Sequence, residues 1–358
     1  MKKQKKIPLS RFDYDLPSKL ISQSPIKPRD HARLLILDKI SSTIEHKKFY
    51  DIIDYLNPGD VLVLNNSRVI PARLLGKKET GGKIEIFLLQ KQAPKTWQCL
   101  IGGKVKPGQK VIFKNGVVAE AIKKLDEQSW LVKFNSSDKK IFSIGETPLP
   151  PYIKKKSKEE DYQTVYAKPS GSVAAPTAGL HFTNRLLTKL KKKGIKIEYI
   201  TLHVGLGTFA PVKSDYIEDH KIHSELAILD KPTASRLNKA KQKGNKIVAV
   251  GTTSVRTLEA FASSRHPRVS HCHPRAGGDP IIDSPYLTPQ TKWIDIFIYP
   301  GYNYKFVDNI ITNFHLPKST LLMLISAFAS EAQIKKAYQK AIKEKYKFFS
   351  FGDAMLIK

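Results

Sequence analysis

Four histidines stand in short polar clusters between apolar stretches, where side chains that titrate near neutrality can move protons. They are His181, His203, His223 and His315. His181 closes the small-residue stretch Ala174-Ala175-Pro176-Thr177-Ala178-Gly179-Leu180-His181-Phe182, in which residues such as Thr177 and Gly179 let backbone approach a ligand closely. A helix is expected directly after it, and the positive helix end would hold the imidazole toward its neutral form; a purely structural histidine is the alternative. His203 opens His203-Val204-Gly205-Leu206-Gly207-Thr208-Phe209. This is not a dinucleotide fingerprint, because a third glycine is missing and Ala210-Pro211-Val212 follows instead of a helix. A ligand-facing turn carrying Gly205, Gly207 and Thr208 is the expectation. Asp219-His220-Lys221-Ile222-His223-Ser224-Glu225 has the density of a metal site. His220 and His223 would share a face only in a helix, and Glu225 would then point elsewhere, so a hydrogen-bonded His/Glu set is expected and no metal centre.

Three further clusters fall at joints between elements. Asn65-Asn66-Ser67-Arg68 follows a continuous apolar run directly. Ligands of parallel sheets sit outside the carboxyl ends of strands, so two amides, a hydroxyl and a guanidinium there could read a polar ligand; an Asx turn leaving the sheet is the plainer alternative. Gly251-Thr252-Thr253-Ser254-Val255-Arg256 joins a strand to a helix. Backbone N–H groups, three hydroxyls and the positive helix end converge on an anion or carboxylate there, unless Thr253 or Ser254 merely caps the helix. Asn313-Phe314-His315-Leu316-Pro317-Lys318-Ser319-Thr320-Leu321 repeats the arrangement, with Asn313 and His315 as its interesting members.

The elements that must position these clusters alternate. Residues 34–38 read as a strand. Phe49, Ile52, Ile53 and Leu56 fall on one face of a helix, and 61–64 is a strand covered on both faces. From about residue 69 short strands follow one another at 73–77, 83–90, 97–101, 110–113, 117–123 and 129–134, with Asn115-Gly116 as a hairpin turn. Alternation resumes with a helix capped by Thr183, a strand at 195–204, a helix at 233–243, a strand at 246–250, a helix at 253–262, a strand at 294–299 and a helix at 319–330. The expected fold class is therefore α/β: a mostly parallel sheet with helices, interrupted by an inserted all-β barrel-like domain. The α/β domain would comprise 1–68 and 151–358, with the barrel at 69–150.

Residues 263–290 look foreign to the rest. They hold Arg265, Arg268 and Arg275 and no lysine, whereas the other residues hold 8 Arg and 50 Lys. Their His266, His271, Cys272 and His273 lack a second thiol and structural zinc spacing, so an atypical surface insertion is expected and no metal.

Charge bounds the partner. The 358 residues carry 61 Lys+Arg against 32 Asp+Glu, a net charge of +29, which favours a polyanion. The lysine bias equally fits solvated faces and coding composition. The basic start precedes no apolar stretch, the longest apolar run (321–328) is too short for a bilayer, and two cysteines cannot staple a fold of this size. A cytoplasmic protein without a membrane partner is expected.

In this order the segments resemble one family, the S-adenosylmethionine:tRNA ribosyltransferase-isomerases of queuosine biosynthesis. The resemblance rests on Phe12-Asp13-Tyr14-Asp15-Leu16-Pro17, Leu64-Asn65-Asn66-Ser67-Arg68-Val69-Ile70-Pro71-Ala72-Arg73, the small-residue stretch to Phe182, the His203–Phe209 and Gly251–Arg256 clusters, and His223-Ser224-Glu225. Ile298-Tyr299-Pro300-Gly301-Tyr302, Thr312-Asn313-Phe314-His315-Leu316-Pro317 and Phe351-Gly352-Asp353-Ala354-Met355-Leu356 complete it. Only 263–290 departs, being longer than the family pattern. The resemblance implies an α/β domain with an inserted barrel. It implies transfer and isomerisation of the ribosyl part of S-adenosylmethionine, a co-substrate, onto 7-aminomethyl-7-deazaguanine at the wobble position of a tRNA with a GUN-type anticodon. Epoxyqueuosine-tRNA, adenine and methionine would result, with no prosthetic group and a monomer expected. On that pattern His181, His203, His223 and His315 are the acid–base candidates, with Glu225 as partner. Thr252, Thr253, Ser254 and Arg256 would hold the methionine carboxylate or a phosphate, and Asn65, Asn66 and Arg68 would read a base or ribose. Arg73, Thr177, Gly179, Gly205, Gly207, Thr208 and Asn313 complete the expected binding set. A methyltransferase using the same donor is disfavoured by the lack of a strand-to-helix Gly-x-Gly-x-x-Gly. A non-catalytic RNA-binding protein would leave the strand-end clusters unexplained.

Overall fold

Val61-Leu62-Val63-Leu64 offers nothing polar to solvent on either face, and the chain buries both. The computed structural model, which describes residues 6–127, 129–155, 158–205, 212–263 and 285–358, places Val61–Asn65 as a fully buried strand. Val61 and Val63 enter one hydrophobic core and Leu62 and Leu64 another, as the two-residue period of a strand requires.

Around this strand a nine-stranded sheet runs in the order Gln290–Ile294, Glu225–Leu229, Lys196–His203, Val61–Asn65, Ile247–Val250, Asn309–Asn313, Ala354–Ile357, Arg33–Leu37, Ile44–Lys48. The stretch from Lys196–His203 to Asn309–Asn313 is parallel throughout. Ala354–Ile357 runs antiparallel to Asn309–Asn313 and parallel to Arg33–Leu37, and the outermost pairs are antiparallel. The α/β class read from the sequence is the one found, with the parallel ladder at the heart of a mixed sheet.

Local chemistry sets the helices. Thr183 accepts from Leu186 N at 3.1 Å to start Asn184–Lys192, and Asp230 accepts from Thr233 N at 2.7 Å to start Lys231–Gln242. Phe49–Tyr55, read as α-helical, winds as a 3-10 helix that still buries Phe49 and Ile52. Thr252–Phe261, Thr320–Ala329 and Glu331–Lys343 complete the longer helices. One strand is misplaced in the sequence reading: the segment expected at 294–299 pairs only as Gln290–Ile294. It is an edge strand with residues 291–293 exposed, so its polar pattern hid it, while the apolar run after it has no ladder partner among the described residues.

The β region closes. Arg73–Lys78, Lys83–Ala93, Thr96–Gly102, Lys110–Ile112, Val118–Lys124 and Ser129–Phe134 form a six-stranded antiparallel barrel. Asn115 and Gly116 both take positive φ, 56° and 68°, as a tight hairpin turn needs. No helix among the described residues is long and apolar enough to cross a membrane.

Gly179 lies in the short Thr177–His181 turn, where a Cβ would sit 2.0 Å from the buried Tyr166 hydroxyl. Gly179→Ala should therefore destabilise the protein by about 1–3 kcal/mol through overpacking. The check is a urea melt: the midpoint falls at unchanged slope, and an unchanged midpoint would show that Tyr166 yields freely.

Candidate functional site

Strands buried on both faces can present polar groups only at their ends, and this sheet gathers its polar ends along one edge. Lys196–His203, Val61–Asn65, Ile247–Val250 and Asn309–Asn313 are parallel neighbours, so His203, Asn65, Gly251 and Asn313 emerge at the same edge. Glu225–Leu229 runs the other way, paired through His203↔Leu226, and begins there. Ala354 lies opposite Asn313 for the same reason. Ligand crevices of open α/β sheets form at such carboxyl ends.

A cavity of about 300 Å³ opens at this edge, walled by residues 175–178, 251–253, 312–319 and 349–350, together with Tyr152. Its lining mixes apolar side chains with polar ones, among them Thr177, Thr253, Asn313 and His315. Thr177 donates to Asn313 Oδ1 at 2.9 Å, and Asn313 Nδ2 donates to Phe349 O at 3.1 Å, so the Asn313 amide braces the wall. Gly251, at φ 83°, turns the chain abruptly from strand into the Thr252–Phe261 helix, and among the described residues no side chain caps that helix. Its first N–H groups and the positive end of its dipole therefore remain for an anion. Beside them the buried Thr253 Oγ1 has no hydrogen-bond partner among the described residues. The Thr320–Ala329 helix also starts at this cavity, but Ser319 caps it by accepting from Leu322 N at 3.2 Å.

His315 lines the same cavity. Its Nε2 pairs with Thr312 Oγ1 at 2.7 Å, and its backbone N donates to Tyr338 Oη at 2.8 Å. Burial pushes its pKa down to about 3, so the ring is neutral at physiological pH. The opening motif fixes this loop: Lys318 N donates to Phe12 O at 2.8 Å, the Lys318 ammonium pairs with Asp13 at 2.7 Å, and the Tyr14 hydroxyl donates to His315 O.

A small adjoining cleft, sharing Leu321 with the cavity, is lined by His220, His223, Glu225 and Arg256. Glu225 and Arg256 form an ion pair with side chains only 4% and 7% exposed. The other Glu225 oxygen accepts from Gly205 N at 2.8 Å, and Arg256 Nε donates to Ile296 O at 3.3 Å. Arg256 Nη2 is buried without a partner among the described residues. His220 lies edge-on to Phe297, and burial, with help from His223, lowers its pKa. Among the described residues Glu225 pairs with Arg256, and His220 and His223 line the same cleft. No group of metal-ligating side chains occurs among the described residues.

The remaining expected site residues lie elsewhere. The Asn65 amide is consumed by backbone: Nδ2 donates to Leu202 O at 2.9 Å, and Oδ1 accepts from Leu202 N at 3.0 Å and Ser67 N at 3.1 Å. Asn66 Oδ1 accepts from Thr201 Oγ1 at 2.7 Å, while Arg68 is exposed with no ion-pair partner among the described residues. His203 faces Ser67 Oγ at 3.2 Å and abuts Gly171, away from the cavity, with its pKa lowered by burial. His181 stacks on Phe49 in the core, its ring nitrogens 3.1 Å from Ala178 O and 2.9 Å from Gly352 O, and burial lowers its pKa. Ser254 Oγ donates to Val250 O at 2.8 Å. Arg73 pairs with Glu85 and Glu146 on the barrel. Gly207 and Thr208 lie outside the described residues, as does 264–284 with its histidines and Cys272.

Sequence reasoning passed over Tyr152, Phe349 and Ser350, which wall the cavity. Their one signal is adjacency: Tyr152 follows the proline linker, and Phe349-Ser350 precedes the closing motif.

The family described as queuosine biosynthesis protein matches residues 9–357. A relative from Acetivibrio thermocellus, named S-adenosylmethionine:tRNA ribosyltransferase-isomerase, is 51% identical over 98% of this chain and 99% of its own. One of the same name from Staphylococcus saprophyticus is 49% identical over 98% and 99%. The crystal structure of S-adenosylmethionine tRNA ribosyltransferase from Thermotoga maritima is similar with a TM-score of 0.53 and 37% identity, covering 98% of this chain and 100% of that one.

Two outcomes follow from the geometry. Asn65→Ala should cost about 2–3 kcal/mol in a urea melt, because it strands buried Leu202 groups; loss of ligand affinity at unchanged stability would restore Asn65 to a reading role. His315, with a folded pKa near 3 against 6.5 when unfolded, favours the fold fully above pH 6.5. That contribution is lost as pH falls from 6.5 toward about 3, because the unfolded chain binds the proton first. In His315→Asn the urea midpoint should fall less over this window than in wild type, and parallel curves would contradict the assignment.

Proposed function

The chain belongs to the queuosine biosynthesis protein family, and we propose that the strand-edge cavity binds S-adenosylmethionine and passes its ribosyl group to tRNA. The family's enzymes are transferase-isomerases, and this chain is one. The acceptor in our reading is the aminomethyl group of 7-aminomethyl-7-deazaguanine at the wobble position of a tRNA with a GUN-type anticodon. The products are epoxyqueuosine-tRNA, adenine and methionine. We read the enzyme as a cytoplasmic monomer, invoke no prosthetic group, and assign catalysis to segments 1–68 and 151–358 with the barrel of 69–150 inserted.

The observation that carries this is the uncapped start of the Thr252–Phe261 helix beside the Thr253 hydroxyl, which has no partner among the described residues, in a cavity lined by both apolar and polar side chains. It suits a ligand with one carboxylate and a body that combines apolar faces with hydrogen-bonding groups. The methionine carboxylate takes the helix N–H groups and Thr253, while the sulfonium, ribose and adenine fill the remaining volume. The chemistry needs a base, because the sulfonium acidifies the neighbouring C5′–H, and an acid, because adenine leaves more readily when protonated. His315, held neutral by burial, orients and donates a hydrogen bond through Nδ1, its ring nitrogen without a partner among the described residues. Proton transfer falls to His223, exposed beside Glu225 in the adjoining cleft. His181 and His203 carry packing roles. Arg68, exposed at the same strand edge, is available to the tRNA.

The deciding experiment incubates the protein with S-adenosylmethionine and precursor-modified tRNA. Adenine and methionine are expected in equal amounts; S-adenosylhomocysteine would mean methyl transfer, and tRNA binding without product would mean a non-catalytic role. Thr253→Val should weaken S-adenosylmethionine binding roughly tenfold, about 1.4 kcal/mol for one lost hydrogen bond. Calorimetric titration checks this, and unchanged affinity would move the carboxylate elsewhere.

A further inference from the structure

The barrel carries a groove of about 1040 Å³ that the proposed chemistry does not use. Its floor includes Phe87 and Trp130, half-buried and packed on the barrel core, so the floor is apolar and fixed. Lys78, Lys104, Lys106 and Lys124 line it. Lys78 ends one strand, Lys124 ends another, and Lys104 and Lys106 follow a third, so the fold gathers charges that the sequence scatters. None of the four has a carboxylate within ion-pair distance among the described residues. Two acids share the groove: Glu85, already held by Arg73 at 2.9 Å, and Glu127. The uncompensated charge is thus strongly positive.

The groove is not an extension of the catalytic cavity. The two share no lining residue: every residue lining the groove belongs to the barrel between Lys78 and Trp130, and none of those lines the strand-edge cavity.

We propose that this groove holds the sugar–phosphate backbone of the tRNA, on a surface separate from the strand-edge cavity; this rests on the tRNA reading above. Lysine is the right residue for it: a mobile point charge that attracts phosphate without demanding one geometry. Among the described residues no arginine lines the groove, so it supplies affinity and placement, and base selection stays at the strand edge.

The test uses the full chain and precursor-modified tRNA in filter binding across a salt series. Lys104→Glu, Lys106→Glu and Lys124→Glu combined should weaken tRNA binding at least tenfold and flatten the dependence of log affinity on log salt by about 2. S-adenosylmethionine affinity should not move. The neutral Lys→Gln triple variant, safer for folding, should show the same effects at reduced size. Wild-type affinity and salt slope in both variants would overturn the groove assignment alone. Failure of the wild-type protein to bind the tRNA would overturn the tRNA reading itself.

Discussion

A strand buried on both faces has nowhere to put a polar side chain except at its ends, and that constraint organises this protein. Val61–Asn65 and Ile247–Val250 are enclosed by two hydrophobic cores. Their alternating side chains can only pack, so function is displaced to the edge where parallel strands finish together. The polar clusters are scattered over some 250 residues of sequence, yet topology makes them neighbours.

At that edge the electrostatics are divided between two devices. Glu225 and Arg256 are both desolvated, and such a pair persists only where further hydrogen bonds meet its remaining atoms. Gly205 N and Ile296 O do part of this, which ties the loop after His203 to the segment after Gln290–Ile294. Being neutral overall, the pair orders the cleft more than it attracts anions. Attraction falls to the start of the Thr252–Phe261 helix, whose partial charge needs no counter-ion and no side chain that could rotate away.

This division explains which parts were legible in sequence. The strand positions of the barrel, the Asn115-Gly116 turn and the cap at Thr183 follow from local rules, and the structure obeys them. Positions of polar clusters at strand ends were equally readable. What each cluster does was not, because it depends on the facing element: Asn65 looks like a reader of ligands until Leu202 is set opposite, and His181 like a base until Phe49 and two carbonyls enclose it. Tyr152 and Ser350 had no pattern of their own, since they become neighbours only in space.

The sheet order also bears on synthesis. Ala354–Ile357 lies between Asn309–Asn313 and Arg33–Leu37, so the early hairpin Arg33–Leu37/Ile44–Lys48 is joined to the rest of the sheet only through a strand made some 300 residues later. The barrel, by contrast, is contiguous from Arg73 to Phe134 and can close while the ribosome is still at work. A nascent chain would thus carry a finished barrel beside an open sheet with bare strand edges, exposed to mispairing until Ala354–Ile357 emerges.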